Sequence, residues 1–122
     1  MAFKIDHIHI KTSNPEKTAR WYVDNLGAKI EAEIRNGERV SFRLDLHGLR
    51  LSVTDFIPGQ KLEQRYGMEH LALGTDDLPG TIEKLKSSGV RILEERRTAD
   101  GRQSCFFEGP EGTRLEVMEM GR

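Results

Sequence analysis

One pattern occurs twice in this chain, and that duplication limits its fold more than any other property of the sequence. Asp6-His7-Ile8-His9-Ile10-Lys11-Thr12-Ser13-Asn14 returns 63 residues later as Glu69-His70-Leu71-Ala72-Leu73-Gly74-Thr75-Asp76-Asp77. Acid, histidine, aliphatic, threonine and Asx keep their places. Leu26-Gly27-Ala28-Lys29-Ile30 is echoed by Ser88-Gly89-Val90-Arg91-Ile92 at an offset of 62. Asn36-Gly37 is echoed by Asp100-Gly101, and Gly48-Leu49-Arg50-Leu51-Ser52-Val53 by Gly112-Thr113-Arg114-Leu115-Glu116-Val117, both at 64. Four landmarks in one order, drifting by two residues, define a duplicated unit.

Each copy reads as βαβββ. Residues 4–12 alternate as a half-buried strand does. Ser13 or Asn14 is an N-cap candidate, Pro15 suits the first helical position, and Gly27 is a stop signal. Ala19, Tyr22, Val23 and Leu26 recur at helical spacing between them. Strands follow at 29–35, 39–46 and 49–55, with Asn36-Gly37 as a type I′ hairpin signal and His47-Gly48 as the second turn. The second copy predicts a strand at 68–75 and a helix at 78–88, capped by Asp76 or Asp77. Three strands then follow, at 91–97, 103–108 and 113–119. Pro58-Gly59 marks a turn in the connecting segment. The expected organisation is one α+β domain, with module one at 1–55, a linker at 56–66 and module two at 67–122.

Strand parity assigns faces. With Ile8 and Ile10 against the helix, His7 and His9 point the other way. With Leu71 and Leu73 against the helix, His70 points away, and Leu115 and Val117 leave Arg114, Glu116 and Met118 on that same face. Arg43, Arg50, Ser41 and Thr54 are further candidates there, and arginines so placed can clamp a carboxylate or phosphate. His47, before a turn glycine, reads as a loop residue. Trp21 and Tyr22 read as packing, and Met118 and Met120 as core.

Bulk properties narrow the class. The chain has 122 residues, 19 basic and 20 acidic side chains, and a formal net charge of −1. The signs are interspersed, so no nucleic-acid surface is expected. The first apolar stretch is broken by His7, His9 and Lys11, and no run approaches a membrane span, so no secretory or membrane segment is expected. One cysteine, Cys105, allows no internal disulfide and reads as a small apolar filler in a cytoplasmic protein.

Asp6-His7-Ile8-His9-Ile10, Trp21-Tyr22, Leu26-Gly27, Glu69-His70-Leu71-Ala72-Leu73 and the closing Gly109-Pro110-Glu111-Gly112-Thr113-Arg114-Leu115-Glu116 resemble the vicinal oxygen chelate superfamily. That superfamily groups glyoxalases, bleomycin-resistance proteins and extradiol dioxygenases. The resemblance spans essentially the whole chain. It implies two βαβββ modules forming a cup-shaped, partly open mixed sheet, and one divalent metal (Fe, Mn, Ni or Zn) on His7, His70 and Glu116. Ser52 stands where the first copy has its twin of Glu116, so the implied site is three-ligand and open. His9 is the candidate catalytic base, and Arg50, Ser52 and Arg114 the candidate substrate contacts.

The favoured activity is that of a lyase or isomerase, glyoxalase- or epimerase-like, acting on a small oxygenated substrate. The lost carboxylate at Ser52 argues against a standard glyoxalase I. Extradiol cleavage is the first alternative, weakened because Phe106 stands where those relatives carry a tyrosine. Fosfomycin resistance ranks below it, since His9 replaces the threonine of that group. A non-catalytic, bleomycin-resistance-like ligand-binding protein is the alternative of another class. The resemblance further implies a homodimer.

Overall fold

The computed structural model describes Ala2, residues 4–55 and residues 68–120. Its elements are β1 (Ile8–Lys11), α1 (Pro15–Leu26), β2 (Lys29–Asn36), β3 (Arg39–Leu46) and β4 (Leu49–Thr54). Then come β5 (Leu71–Thr75), α2 (Leu78–Ser87), β6 (Ile92–Arg97), β7 (Gln103–Glu108), a 3-10 turn at Pro110–Gly112, and β8 (Arg114–Glu119). The chain divides into two compact units, Met1–Leu62 and Glu63–Arg122. The linker expected at 56–66 lies outside the described residues.

Each unit is a four-stranded mixed sheet with one helix. The strand orders are β1-β4-β3-β2 and β5-β8-β7-β6, with the first pair of each sheet parallel and the others antiparallel. The same register irregularity follows Ile30 in β2 and Ile92 in β6. The architecture is therefore α+β and duplicated down to a β-bulge.

The helix ends repeat atom for atom. Asn14 Oδ1 accepts from Lys17 N at 3.1 Å, and Asp77 Oδ1 from Gly80 N at 3.0 Å, which settles each pair of cap candidates. Behind the caps, Thr12 bonds Thr18 at 2.7 Å and Thr75 bonds Thr81 at 3.2 Å through their hydroxyls. Pro follows within the first two helical positions in both, where a missing N–H costs nothing. Ala19, Tyr22, Leu44, Leu51 and Val53 fill the space between α1 and its sheet; Leu85, Phe107, Leu115 and Val117 do so under α2. Each fully buried large side chain stabilises by roughly 1.5–3 kcal/mol.

Four details differ from the sequence expectation. The paired part of the first strand starts at Ile8 and that of the fifth at Leu71, so His7 and His70 stand one residue before their strands. The parallel ladders open with Ile8 opposite Leu51 and Leu71 opposite Leu115. The β2–β3 loop is Gly37-Glu38, because Asn36 pairs with Arg39. Only Gly37 has positive φ, whereas a type I′ turn needs it at both central residues. His47 and Gly48 do meet that condition, at φ 52° and 97°. His47 is also more than a loop residue: its Nε2 donates to the Leu26 carbonyl at 2.6 Å, closing the end of α1. Of the two methionines read as core, Met120 is exposed and Met118 half-buried. Among the described residues, no helix is long and apolar enough to cross a membrane.

Candidate functional site

Module two gathers the more developed cluster. The alternation of β8 sends Leu115 and Val117 to the helix and Arg114, Glu116 and Met118 to the other, open face. Glu116 pairs with Phe106 on β7 and with Ala72 on β5, so it occupies the middle of that face. The carboxylate is buried, at 6% exposure, and its charge therefore requires a partner. That partner is His70, whose Nε2 lies 3.2 Å from Glu116 Oε1.

The other ring nitrogen of His70 faces a carboxylate as well: Nδ1 is 3.0 Å from Glu69 Oε1. A neutral imidazole carries one N–H. If Nδ1–H serves Glu69, the Nε2 lone pair is set against Glu116, and only a second proton or a cation between them relieves the clash. Glu69 is held in turn by Arg114, whose Nε lies 2.6 Å from Glu69 Oε1. The Arg114 guanidinium stacks 4.2 Å above the Phe106 ring, and Phe106 meets His70 edge-on at 5.0 Å. The His70 hydrogen bond, more than Arg114, holds the Glu69 carboxyl below its ordinary value.

Module one repeats the dyad but not its setting. His7 Nδ1 lies 2.7 Å from Asp6 Oδ2. That bond, followed by the charges of His7, Arg50 and Arg43, holds the Asp6 carboxyl low. Across the open face, Ser52 pairs with His9 on one side and Arg43 on the other. His9 Nε2 lies 2.7 Å from Thr54 Oγ1, and the Thr54 hydroxyl donates to the Asp55 carbonyl. The hydroxyl proton being committed, His9 donates through Nε2 and keeps its lone pair on Nδ1. Burial first, then the charges of His7 and Lys11, lowers the pKa of His9.

The predicted residues thus fall into two groups. His70, Glu116 and Arg114 share one cluster in module two; His7, His9, Arg50 and Ser52 share the corresponding face of module one. Glu69 and Asp6 are working parts that the sequence reading does not name, although the recurring acid before each histidine is their signal. Thr54, a candidate by strand parity alone, gains a partner in His9. Among the described residues no three His, Cys, Asp or Glu side chains are gathered to hold a metal. Module two offers two facing donors, of the imidazole and carboxylate kind that suits first-row divalent ions. This donor set fits such an ion.

A model of the Glyoxalase/Bleomycin resistance protein/Dioxygenase superfamily matches residues 4–117, and the chain belongs to that superfamily. Metallothiol transferase FosB of Staphylococcus haemolyticus is 30% identical over 93% of this chain and 81% of its own. Lactoylglutathione lyase of Haemophilus influenzae is 23% identical over 95% of this chain and 92% of its own. The fold matches the fosfomycin resistance protein FosX of Listeria monocytogenes, a mutant form complexed with Mn(II) and 1S,2S-dihydroxypropylphosphonic acid. There the TM-score is 0.78 at 17% identity, over 99% of this chain and 95% of that one.

Proposed function

We propose that this protein is a metal-dependent lyase or isomerase of the superfamily, acting on a small oxygenated substrate. The observation that carries the reading is the apposition of His70 Nε2 and the buried Glu116 carboxylate at 3.2 Å, with Nδ1 3.0 Å from Glu69 Oε1. In this reading His70, Glu116 and His7 hold one divalent ion of the Fe, Mn, Ni or Zn kind, and the protein works as a cytoplasmic homodimer. The ion would supply Lewis acidity toward substrate oxygens. The chain supplies the rest. Glu69 and Asp6 fix the tautomers of the ligand histidines by accepting from Nδ1. His9, fixed by Thr54, receives the substrate proton at Nδ1, and Arg50, Ser52 and Arg114 contact the substrate.

The similarity to lactoylglutathione lyase supports proton-transfer chemistry. FosB favours a second reading, metal-dependent thiol transfer. Metal analysis of wild type beside His7→Ala, His70→Ala and Glu116→Ala tests the shared premise. Stoichiometric metal lost in the variants is expected. Negligible metal in wild type, or unchanged metal in all three variants, would leave a ligand-binding protein instead. Assays of the metal-loaded protein for hemithioacetal isomerisation, epimerisation, thiol addition to fosfomycin and oxygen uptake with catechols then separate the reactions. Oxygen uptake would overturn the lyase assignment.

A further inference from the structure

The open face of module one carries cations where module two carries an aromatic ring. Arg43 on β3 occupies the repeat position of Phe106: each lies directly across from the residue at the Glu116 or Ser52 position. Arg50 occupies the position of Arg114. In module two Arg114 is neutralised by Glu69 at 2.6 Å and lies on Phe106, and Arg96, on the same face through its pairing with Ser104, lies 3.9 Å from Glu94. In module one two guanidinium groups share the face on adjacent strands, Arg43 opposite Ser52 and Arg50 two residues before Ser52. Like charges at such diagonal positions repel one another.

The acids nearby pair with them only loosely. Arg43 makes no hydrogen bond or ion pair within its unit among the described residues, and Arg50 meets only Glu31, at 4.0 Å. Asp45, paired with Arg50, spends Oδ1 on the Gly48 N–H at 2.9 Å. Asp6 feels both arginines, but its carboxylate is bonded to His7 and exposed. A surface that keeps one unpaired and one loosely paired arginine around a serine hydroxyl can receive an oxyanion.

Along the same face, two residues beyond Ser52, a cavity of about 220 Å³ lies among Ile34, Val40, Ser41 and Thr54, with the Arg39–Asp55 ion pair also lining it. Ile34 is 44% exposed, an apolar side chain left facing solvent. We propose that Arg43, Arg50 and Ser52 form an oxyanion subsite for a carboxylate, phosphonate or phosphate group, whose short apolar body lies toward Ile34 and Thr54. This names the substrate class for the enzyme reading above and rests on it in taking this face as the substrate wall.

The test needs no metal. Chelator-treated, 15N-labelled full-length protein is titrated with inorganic phosphate, methylphosphonate or acetate, against chloride at matched ionic strength. Saturable amide shifts at Arg43, Arg50 and Ser52 are expected. Arg43→Ala should weaken binding about tenfold, Arg43→Lys less, and Arg20→Ala, on the helix, not at all, as loss of one charge-assisted contact predicts. The anion bound most tightly identifies the head group. Absence of saturable shifts in wild type, or binding by Arg43→Ala within about twofold of wild type in a protein of unchanged amide dispersion, overturns the subsite. Metal content of Arg43→Ala should equal that of wild type. A metal-free wild type would sink the enzyme reading while leaving the anion titration intact.

Discussion

Two copies of one unit have kept their scaffolding and exchanged their chemistry. The caps, the threonine pairs behind them, the bulge after Ile30 and Ile92, and the acid–histidine dyads match between modules. The open faces do not. Module two has a buried carboxylate, an aromatic ring and arginines paired with Glu69 and Glu94; module one has a serine, two arginines and a second histidine. The lesson is about constraint. Positions that satisfy backbone groups or fill the core are tied to the fold, whereas open-face positions on the central strands are free to diverge, here into a histidine–carboxylate pair and an arginine-bearing surface.

The largest effects should come from the shared scaffold. Phe107→Ala is expected to cost about 4 kcal/mol and its twin Leu44→Ala about 3 kcal/mol, both being fully buried, as read by urea unfolding. A cost below about 1 kcal/mol for either would mean that module's core relaxes around the loss, breaking the equivalence. Glu116→Ser, which gives module two the residue of module one, should weaken metal binding by more than about 100-fold, beyond the range for supporting residues. Retained affinity in a chelator competition would show that the modules' difference is not one of metal donors.

Glu69→Gln should weaken the metal by about 10-fold, within the range for residues that orient a ligand. Asp6→Asn should do less, since no arginine clamps Asp6 as Arg114 clamps Glu69. A larger effect of Asp6→Asn would reverse the assignment of the better-built dyad. Asn14→Ala and Asp77→Ala should each cost about 1 kcal/mol by thermal unfolding, the same within error. Cys105 gives the smallest signal: buried, with its thiol pKa raised by that burial, it should not react with a disulfide reagent at pH 8 until the protein unfolds.

Much of this was legible in the sequence because it depends on local periodicity. Duplication located every strand and helix, and period-2 parity put Glu116 opposite Leu115 and Val117 before any coordinates were known. What was not legible depends on distance and direction. Nothing in the spacing says that Arg114 turns back onto Phe106, or that Glu69 lies between Arg114 and His70. The role of His47 was hidden because a turn residue is judged by its own neighbours, and the Leu26 carbonyl it meets is 21 residues away. The β2–β3 turn was misplaced by one residue because Asn36 was free to extend the pairing through Arg39.

The acid placed immediately before each histidine carries a consequence of its own. Adjacent residues meet in the unfolded chain as readily as in the folded one, so the Asp6–His7 contact closes no loop and is present on both sides of the folding equilibrium. Its contribution to stability therefore largely cancels. Such a dipeptide orients its histidine without burdening the fold, travels intact through a duplication, and can be edited in one copy without disturbing the other.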